Sequence, residues 1–501
     1  GKLFCAAAGS MLRSFDRKGI GEVVHQYKNN GYNIVLDVNS GSVHVVDDVV
    51  YDLIRVVEEL LGEECSAQHC NEPSCGSQLC SGAQSGAWME KIEGLHLPYA
   101  EEEIREALEE ILALKEAGQL YAPDIYEGYI GDFKKRETVV KALCLHVAHD
   151  CNLACRYCFA EEGEYHGKRE LMSVEVGKKA LDFLVANSGS RKNLEVDFFG
   201  GEPLMNFDVV KELVAYGREI EKLHDKRFRF TITTNGILLD DEKQKFINEN
   251  MHNLVLSLDG RKEVNDRMRP RAGGQGSYDV IVPKFQKAAE SRNQTDYYIR
   301  GTFTKYNIDF YEDVIHMANL GFKQISVEPV VADENMPYAI TEKELPAIFA
   351  EYEKLANEIY KRRKQGNDFN FFHFNIDLSG GPCVMKRLAG CGSGTEYLAV
   401  TPTGDLYPCH QFVGIPEFKM GTVYEGVTNI EQKNAFSKCN VYAKQECRNC
   451  WAKFYCSGGC AANAYQQNGD ILKPYEIGCK MQQKRIECAI MIKAKELLEE
   501  E

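Results

Sequence analysis

Two hydrophobic periods trade places along this chain, and their order organises it. Between residues 141 and 331 an alternating or continuous apolar run gives way to a three-to-four-residue period six times. The extended runs are ALCLHVAH, NLEVDFF, FRFTITT, NLVLSL, DYYIRGTFT and QISVEPVV. Helical patterns such as VEVGKKALDFLVANS and FDVVKELVAYGREIEKL lie between them. Repeated strand–helix units predict a parallel sheet with right-handed crossovers. Six units predict an α/β fold, a partial (β/α)6 barrel. Ligands of such sheets sit beyond the carboxyl ends of the strands.

Residues 23–132 carry a different pattern. YNIVLDVNSGSVHVV predicts two strands around the turn Asn39-Ser40-Gly41, with Ile34, Leu36 and Val38 on one face. DDVVYDLIRVVEELLG predicts an amphipathic helix ending at Gly62. EEEIREALEEILALKEAGQLYAP predicts a second long helix. Together these make a winged-helix-like module. Residues 62–88, between the helices, show no apolar period, and a loop is expected there. Cys65, Cys70, Cys75 and Cys80 recur in it at a spacing that suits neither metal knuckles nor a helix face. Residues 1–22 read as an irregular leader or processing remnant. Linking helices are expected over 332–379. Residues 380–480 are dense in Cys, Gly and Pro, and 481–501 form a C-terminal amphipathic helix.

Composition narrows the function. At 501 residues, two to four domains are expected. A net charge of −16 argues against nucleic acid as a partner. No apolar run approaches the ~20 residues of a membrane span. The 19 cysteines are clustered in a long chain without a secretion signal, which points to metal or redox chemistry in a reducing, cytoplasmic compartment.

Directly after the first barrel strand stands HDCNLACRYCFA. Cys151, Cys155 and Cys158 can ligate three irons of a [4Fe–4S] cube and leave the fourth open. A zinc site is the competing reading, with His146 and His149 as further donors. The position after the first of six units favours the cube. Three more motifs close the following strands in order. These are Gly200-Gly201-Glu202-Pro203, TTNG with Asn235, and SLDG with Ser257 and Asp259.

This combination resembles the radical S-adenosylmethionine superfamily. The resemblance implies that the cluster of Cys151, Cys155 and Cys158 reductively splits S-adenosylmethionine and releases a 5′-deoxyadenosyl radical. It places Gly200, Gly201 and Glu202 at the methionyl amino group. Asn235, Ser257 and Asp259 then face the ribose and methionyl moiety, and Tyr157 and Phe159 bracket the adenine. Arg269 matches a motif Arg, although Asn265 departs from that motif.

A second array follows: Cys391, Cys409, then Cys447, Cys450, Cys456, Cys460, and finally Cys479. Read alone, its CxxC pairs would suit zinc ribbons. The spacing resembles the SPASM domain, which implies two auxiliary [4Fe–4S] clusters, three in all. By that resemblance Cys391, Cys409 and Cys460 serve the first. Cys447, Cys450, Cys456 and Cys479 serve the second. Cys383 is a candidate fourth ligand of the first; without it an iron stays open for a substrate thiolate. Cys144 and Cys439 read as spare thiols, and Cys488 as a thiol packed in the C-terminal helix.

The N-terminal module resembles a peptide-recognition element, whose open sheet edge can bind a leader by strand addition. Nearly the whole chain from about residue 25 resembles the maturases of the six-cysteine (SCIFF) peptides. That resemblance implies a thioether link between a precursor Cys and a downstream residue. The implied partners are a Cys-rich precursor peptide with a leader and a low-potential donor such as flavodoxin or ferredoxin. Formylglycine formation, carbon–carbon linkage, epimerisation and a non-catalytic iron–sulfur or zinc protein are the alternatives.

Overall fold

The computed structural model describes residues 23–67, 85–129, 138–378 and 384–500. Val24–Asn29 (β1), Tyr32–Asp37 (β2) and Val43–Val46 (β3) form an antiparallel sheet in that order. β1 is absent from the sequence expectation. Its signal is the pair Asn30-Gly31, where φ is positive at both residues (50° and 86°), as a tight hairpin turn requires.

Both faces of this sheet are covered. Val24 and Val35 pack with helices α1 (Asp48–Ala67), α2 (Ser85–Glu93) and α3 (Glu101–Glu116). Ile34, Leu36 and Val38 join the main core on the other side, as their alternation predicts. Two boundaries differ from expectation. α1 runs past Gly62 to Ala67, because one interior glycine costs about 1 kcal/mol and the burial of Leu53, Val57 and Leu60 exceeds it. α2 takes the other end of the expected loop, with Trp88, Met89 and Ile92 buried at helical spacing. Cys70, Cys75 and Cys80 lie outside the described residues.

The module is fixed to the C-terminal half. The ring of His25 stacks on Trp451 at 3.7 Å. Tyr27 Oη donates to the Glu487 carbonyl at 2.9 Å. Asp124 accepts from Tyr442 Oη at 2.8 Å and from Lys453 Nζ at 2.7 Å.

All six predicted barrel strands form. They are β4 (Ala142–His149), β6 (Asn193–Gly200), β7 (Arg227–Thr234), β8 (Asn253–Ser257), β9 (Tyr297–Phe303) and β10 (Gln324–Pro329), parallel and adjacent in that order; the short β5 (Glu170–Leu171) pairs antiparallel with β4. Every residue of β4 is buried, which explains its unbroken apolar run.

The sheet extends beyond the six units. β11 (Asn370–Phe371) adds to β10. β12 (Tyr397–Val400) adds parallel to β4. β13 (Asp405–Tyr407), β14 (Gly421–Thr422) and β15 (Gly426–Val427) continue antiparallel from it. The Cys-dense region is therefore built onto the barrel edge. The C-terminal helix begins at Glu476, earlier than the expected 481, and carries Cys479. Among the described residues no helix is long and apolar enough to cross a membrane.

Candidate active site

The motif residues converge at the carboxyl ends of β4, β6, β7 and β8. The loop bearing Cys151, Cys155 and Cys158 is pinned by backbone bonds from Ala154 N to Pro270 O and from Arg156 N to Met268 O, both 2.9 Å. Gly200 has φ +125°, and a Cβ there would stand 2.2 Å from the Ala148 carbonyl oxygen. A Cβ on Gly201 would stand 2.2 Å from that of Asp150. Only glycine lets the end of β6 close onto the cysteine loop.

Glu202 is fully buried behind this turn. It accepts from Leu204 N at 3.0 Å, Thr234 Oγ1 at 2.8 Å and Asn235 N at 2.8 Å. Burial pushes its carboxyl up to about 7, against those donors. Gly200, Gly201 and Asn235 line the cavity in front of it, and Glu202 holds their turns in place. Asn235 Nδ2 in turn donates to Asn152 Oδ1 at 2.8 Å, tying β7 to the cysteine loop.

Asp259 is the second buried anchor. Tyr157 Oη donates to its two oxygens at 2.8 and 2.6 Å, and Thr302 N donates at 3.0 Å. Arg269 Nη1 stands 3.9 Å from Asp259 and donates to Tyr157 Oη at 2.9 Å. The hydroxyl of Tyr157 is thus engaged by Asp259 and Arg269, while Phe159 is half exposed beside His410. Tyr157, Phe159, Ser257 and Arg269 all line the cavity.

That cavity holds about 880 Å³ and joins the two cysteine arrays. Cys151, Cys155 and Cys158 form one side; Cys456, Cys460 and Cys479 form another. Arg300, Glu328, His373, His410 and Arg485 lie between, and none of them was a sequence candidate. Burial alone would raise the Glu328 carboxyl, but His373 and Arg485 draw it down to about 2. Arg485, itself buried, donates to Tyr352 Oη at 2.9 Å and to Glu328 at 3.3 Å. The available signal was position: Arg300 and Glu328 sit on β9 and β10, toward the carboxyl ends that the fold makes functional.

His146 and His149 face each other at 3.0 Å and are absent from the cavity wall, so neither completes a zinc site with the three cysteines. Among the described residues no three His, Cys, Asp or Glu side chains are grouped closely enough for a single ion. One zinc ion draws its sulfur ligands to about 2.3 Å, whereas a cube spreads them over its corners. Burial pushes the Cys151 thiol up to about 12, with Glu202, Cys155 and Cys158 adding to it, and that of Cys155 to about 11, with Cys158 adding. Such thiols stay protonated until a positive metal centre lies against them. The soft donor set, and an Arg269 Nε buried without a partner, fit an iron–sulfur cluster with an anionic ligand beside it.

The thiols of the second array influence one another in two groups. Burial pushes Cys409 up to about 12, and Cys460 and Cys391 push it further. Burial pushes Cys447 and Cys479 up to about 12 each; Cys456 and Cys450 are close enough to add to both. Cys383 lies outside the described residues. Cys439 lies in a loop beside Cys391 and Lys444. Cys144 is buried beside Tyr397, and Cys488 accepts from Asn29 Nδ2 at 3.7 Å.

Acid lability follows from the buried imidazoles. Burial lowers His149 and His410 to about 4. At these imidazoles the folded chain binds fewer protons than the unfolded one, so the stability they contribute is lost as pH falls from about 6.5 toward 4, while the raised carboxyl of Glu202 acts in the opposite direction. Each of His149 and His410 contributes on the order of 3 kcal/mol to that loss. Between pH 6.5 and 4 the urea midpoint of the cluster-free His149→Gln variant should fall less than that of the cluster-free wild type, and parallel curves would show that His149 is not the group responsible.

Comparison with known proteins matches this arrangement. Residues 145–318 match the radical SAM superfamily model, and residues 391–451 match the SPASM iron–sulfur cluster-binding domain. The chain thus contains a radical S-adenosylmethionine domain followed by a SPASM domain, and the two domains support S-adenosylmethionine binding and iron–sulfur clusters. An uncharacterised protein of Archaeoglobus fulgidus is 26% identical over 68% of this chain and 79% of its own. The cysteine-type anaerobic sulfatase-maturating enzyme of Clostridium novyi is 26% identical over 63% of this chain and 86% of its own. The solved structure of native anSMEcpe with bound AdoMet and Kp18Cys peptide shares the fold, with a TM-score of 0.57 at 20% identity, covering 70% of this chain and 97% of that one.

Proposed function

We propose that this chain is a peptide maturase that forms thioether links in a Cys-rich precursor. The observation that carries the reading is the shared cavity. It opens onto the three barrel-mouth cysteines and onto auxiliary cysteines of both sets, with room for a peptide segment between them. Cys151, Cys155 and Cys158 would hold one cluster. Cys391, Cys409 and Cys460 would hold the second, with Cys383 its candidate fourth ligand. Cys447, Cys450, Cys456 and Cys479 would hold the third. Bound there, the cluster and S-adenosylmethionine supply a reducing electron and a hydrogen-abstracting carbon radical.

The chain's own residues position and enclose. Glu202 fixes the Gly200-Gly201 turn and Asn235. Asp259 and Arg269 fix Tyr157. Arg300 and Arg485 give the substrate side of the cavity positive charge suited to peptide carbonyls or a carboxylate. The leader would add to the edge strand β3, which pairs with β2 on one side only. A thioether removes one hydrogen from carbon and one from sulfur.

Similarity to a sulfatase-maturating enzyme favours a second reading, oxidation of a Cys or Ser side chain to formylglycine. Coexpression with a Cys-rich peptide separates the two by mass analysis. Loss of two hydrogens per modification, with a thiol that no longer alkylates, is the expected result. An unlinked aldehyde trapped by a hydrazide would replace the thioether reading with the second one.

A further inference from the structure

Lys444 is the one long cationic side chain among the largest fully buried side chains, 2% exposed. It has no ion pair among the described residues. Its Nζ donates to the Gly458 carbonyl at 2.6 Å. Gly458 belongs to the turn Cys456-Ser457-Gly458-Gly459-Cys460, which carries one cysteine of each auxiliary set. Lys444 also opens the short helix that presents Cys447. It lies close enough to act on Cys460 and on Cys439, the neighbour of Cys391. It also acts on Cys447, Cys456 and Cys479.

A buried ammonium with only a carbonyl and thiols around it is costly, because desolvation is not offset by a counter-charge. Thiolate-ligated clusters held by these cysteines would provide that counter-charge. Each electron added to a cluster adds one negative charge, which a fixed cation nearby stabilises. Charge and hydrogen bonds around a cluster are the levers that set its potential.

We propose that Lys444 is a positioning residue held on the turn that carries one cysteine of each auxiliary set, where its fixed charge raises the reduction potential of the auxiliary clusters and thereby makes them better electron acceptors. The inference rests on the cluster ligation proposed above. It goes beyond it by assigning a role to a residue that ligates nothing.

Two variants of the full chain separate charge from hydrogen bonding, since Lys444→Arg and Lys444→Gln can both donate to the Gly458 carbonyl and only Arg keeps the charge. After anaerobic reconstitution, iron per chain is counted and auxiliary potentials are read by EPR-monitored redox titration. The expected result is full iron in both variants, Arg near the wild type, and Gln at least tenfold harder to reduce, 59 mV for a one-electron couple. Loss of auxiliary iron from Gln but not from Arg also supports the charge. Unchanged potentials in Gln, or equal loss of iron from both variants, would overturn it. Wild-type protein holding only about four irons would instead refute the auxiliary ligation, independently of Lys444.

Discussion

Cys155→Ala is expected to lose the barrel-mouth cluster and all cleavage of S-adenosylmethionine. Cys155 sits in the loop pinned against residues 268–270, and it is pushed to about 11 by burial in the absence of metal. With one of three thiols gone, the site offers two protein ligands to a cube that needs three. Iron should fall by about four atoms per chain, and 5′-deoxyadenosine should drop to background when reduced protein meets S-adenosylmethionine. Cys144→Ala is the control, since that thiol is buried beside Tyr397 away from the cavity. It should keep its iron. If Cys155→Ala retained full iron and product, the assignment of this loop would be wrong.

The largest expected effect on stability is at Asp259. Its carboxylate is fully buried, holds Tyr157 and Thr302 N, and is the acidic neighbour of the buried Arg269. Asp259→Asn keeps the shape and removes the charge, leaving a guanidinium uncompensated in the interior. That change costs about 3–5 kcal/mol. Asp405→Asn removes a carboxylate that pairs with Lys419 at the surface, where about 0–1 kcal/mol is at stake. Urea midpoints of the two cluster-free variants should differ accordingly. Equal midpoints would show that the Asp259–Tyr157–Arg269 contacts are not an anchor.

Much of this was legible in the chain itself. The strand runs matched because burial is written locally, as an unbroken apolar run where both faces are covered, as in β4, and as alternation where one face is, as in β6 and β7. Motif glycines were legible for the same reason: Gly200 and Gly201 each admit no Cβ. Boundaries were less so. α1 overruns Gly62 because its packing outweighs a local breaker, and β1 was hidden in a polar edge run whose sign was only Asn30-Gly31.

The sequence by itself determined the order of the elements, the strand ends where chemistry gathers and the residue types that fit it, because periodicity and spacing are local properties of the chain. The tertiary structure alone decided which distant groups share one space: Tyr157 with Asp259, Lys444 with the Gly458 turn, Arg485 with Glu328, and the two cysteine arrays with one cavity. A hydrophobic pattern records that a face is buried and says nothing of what covers it. Burial against a particular partner is what turns an ordinary Lys or Asp into a functional one.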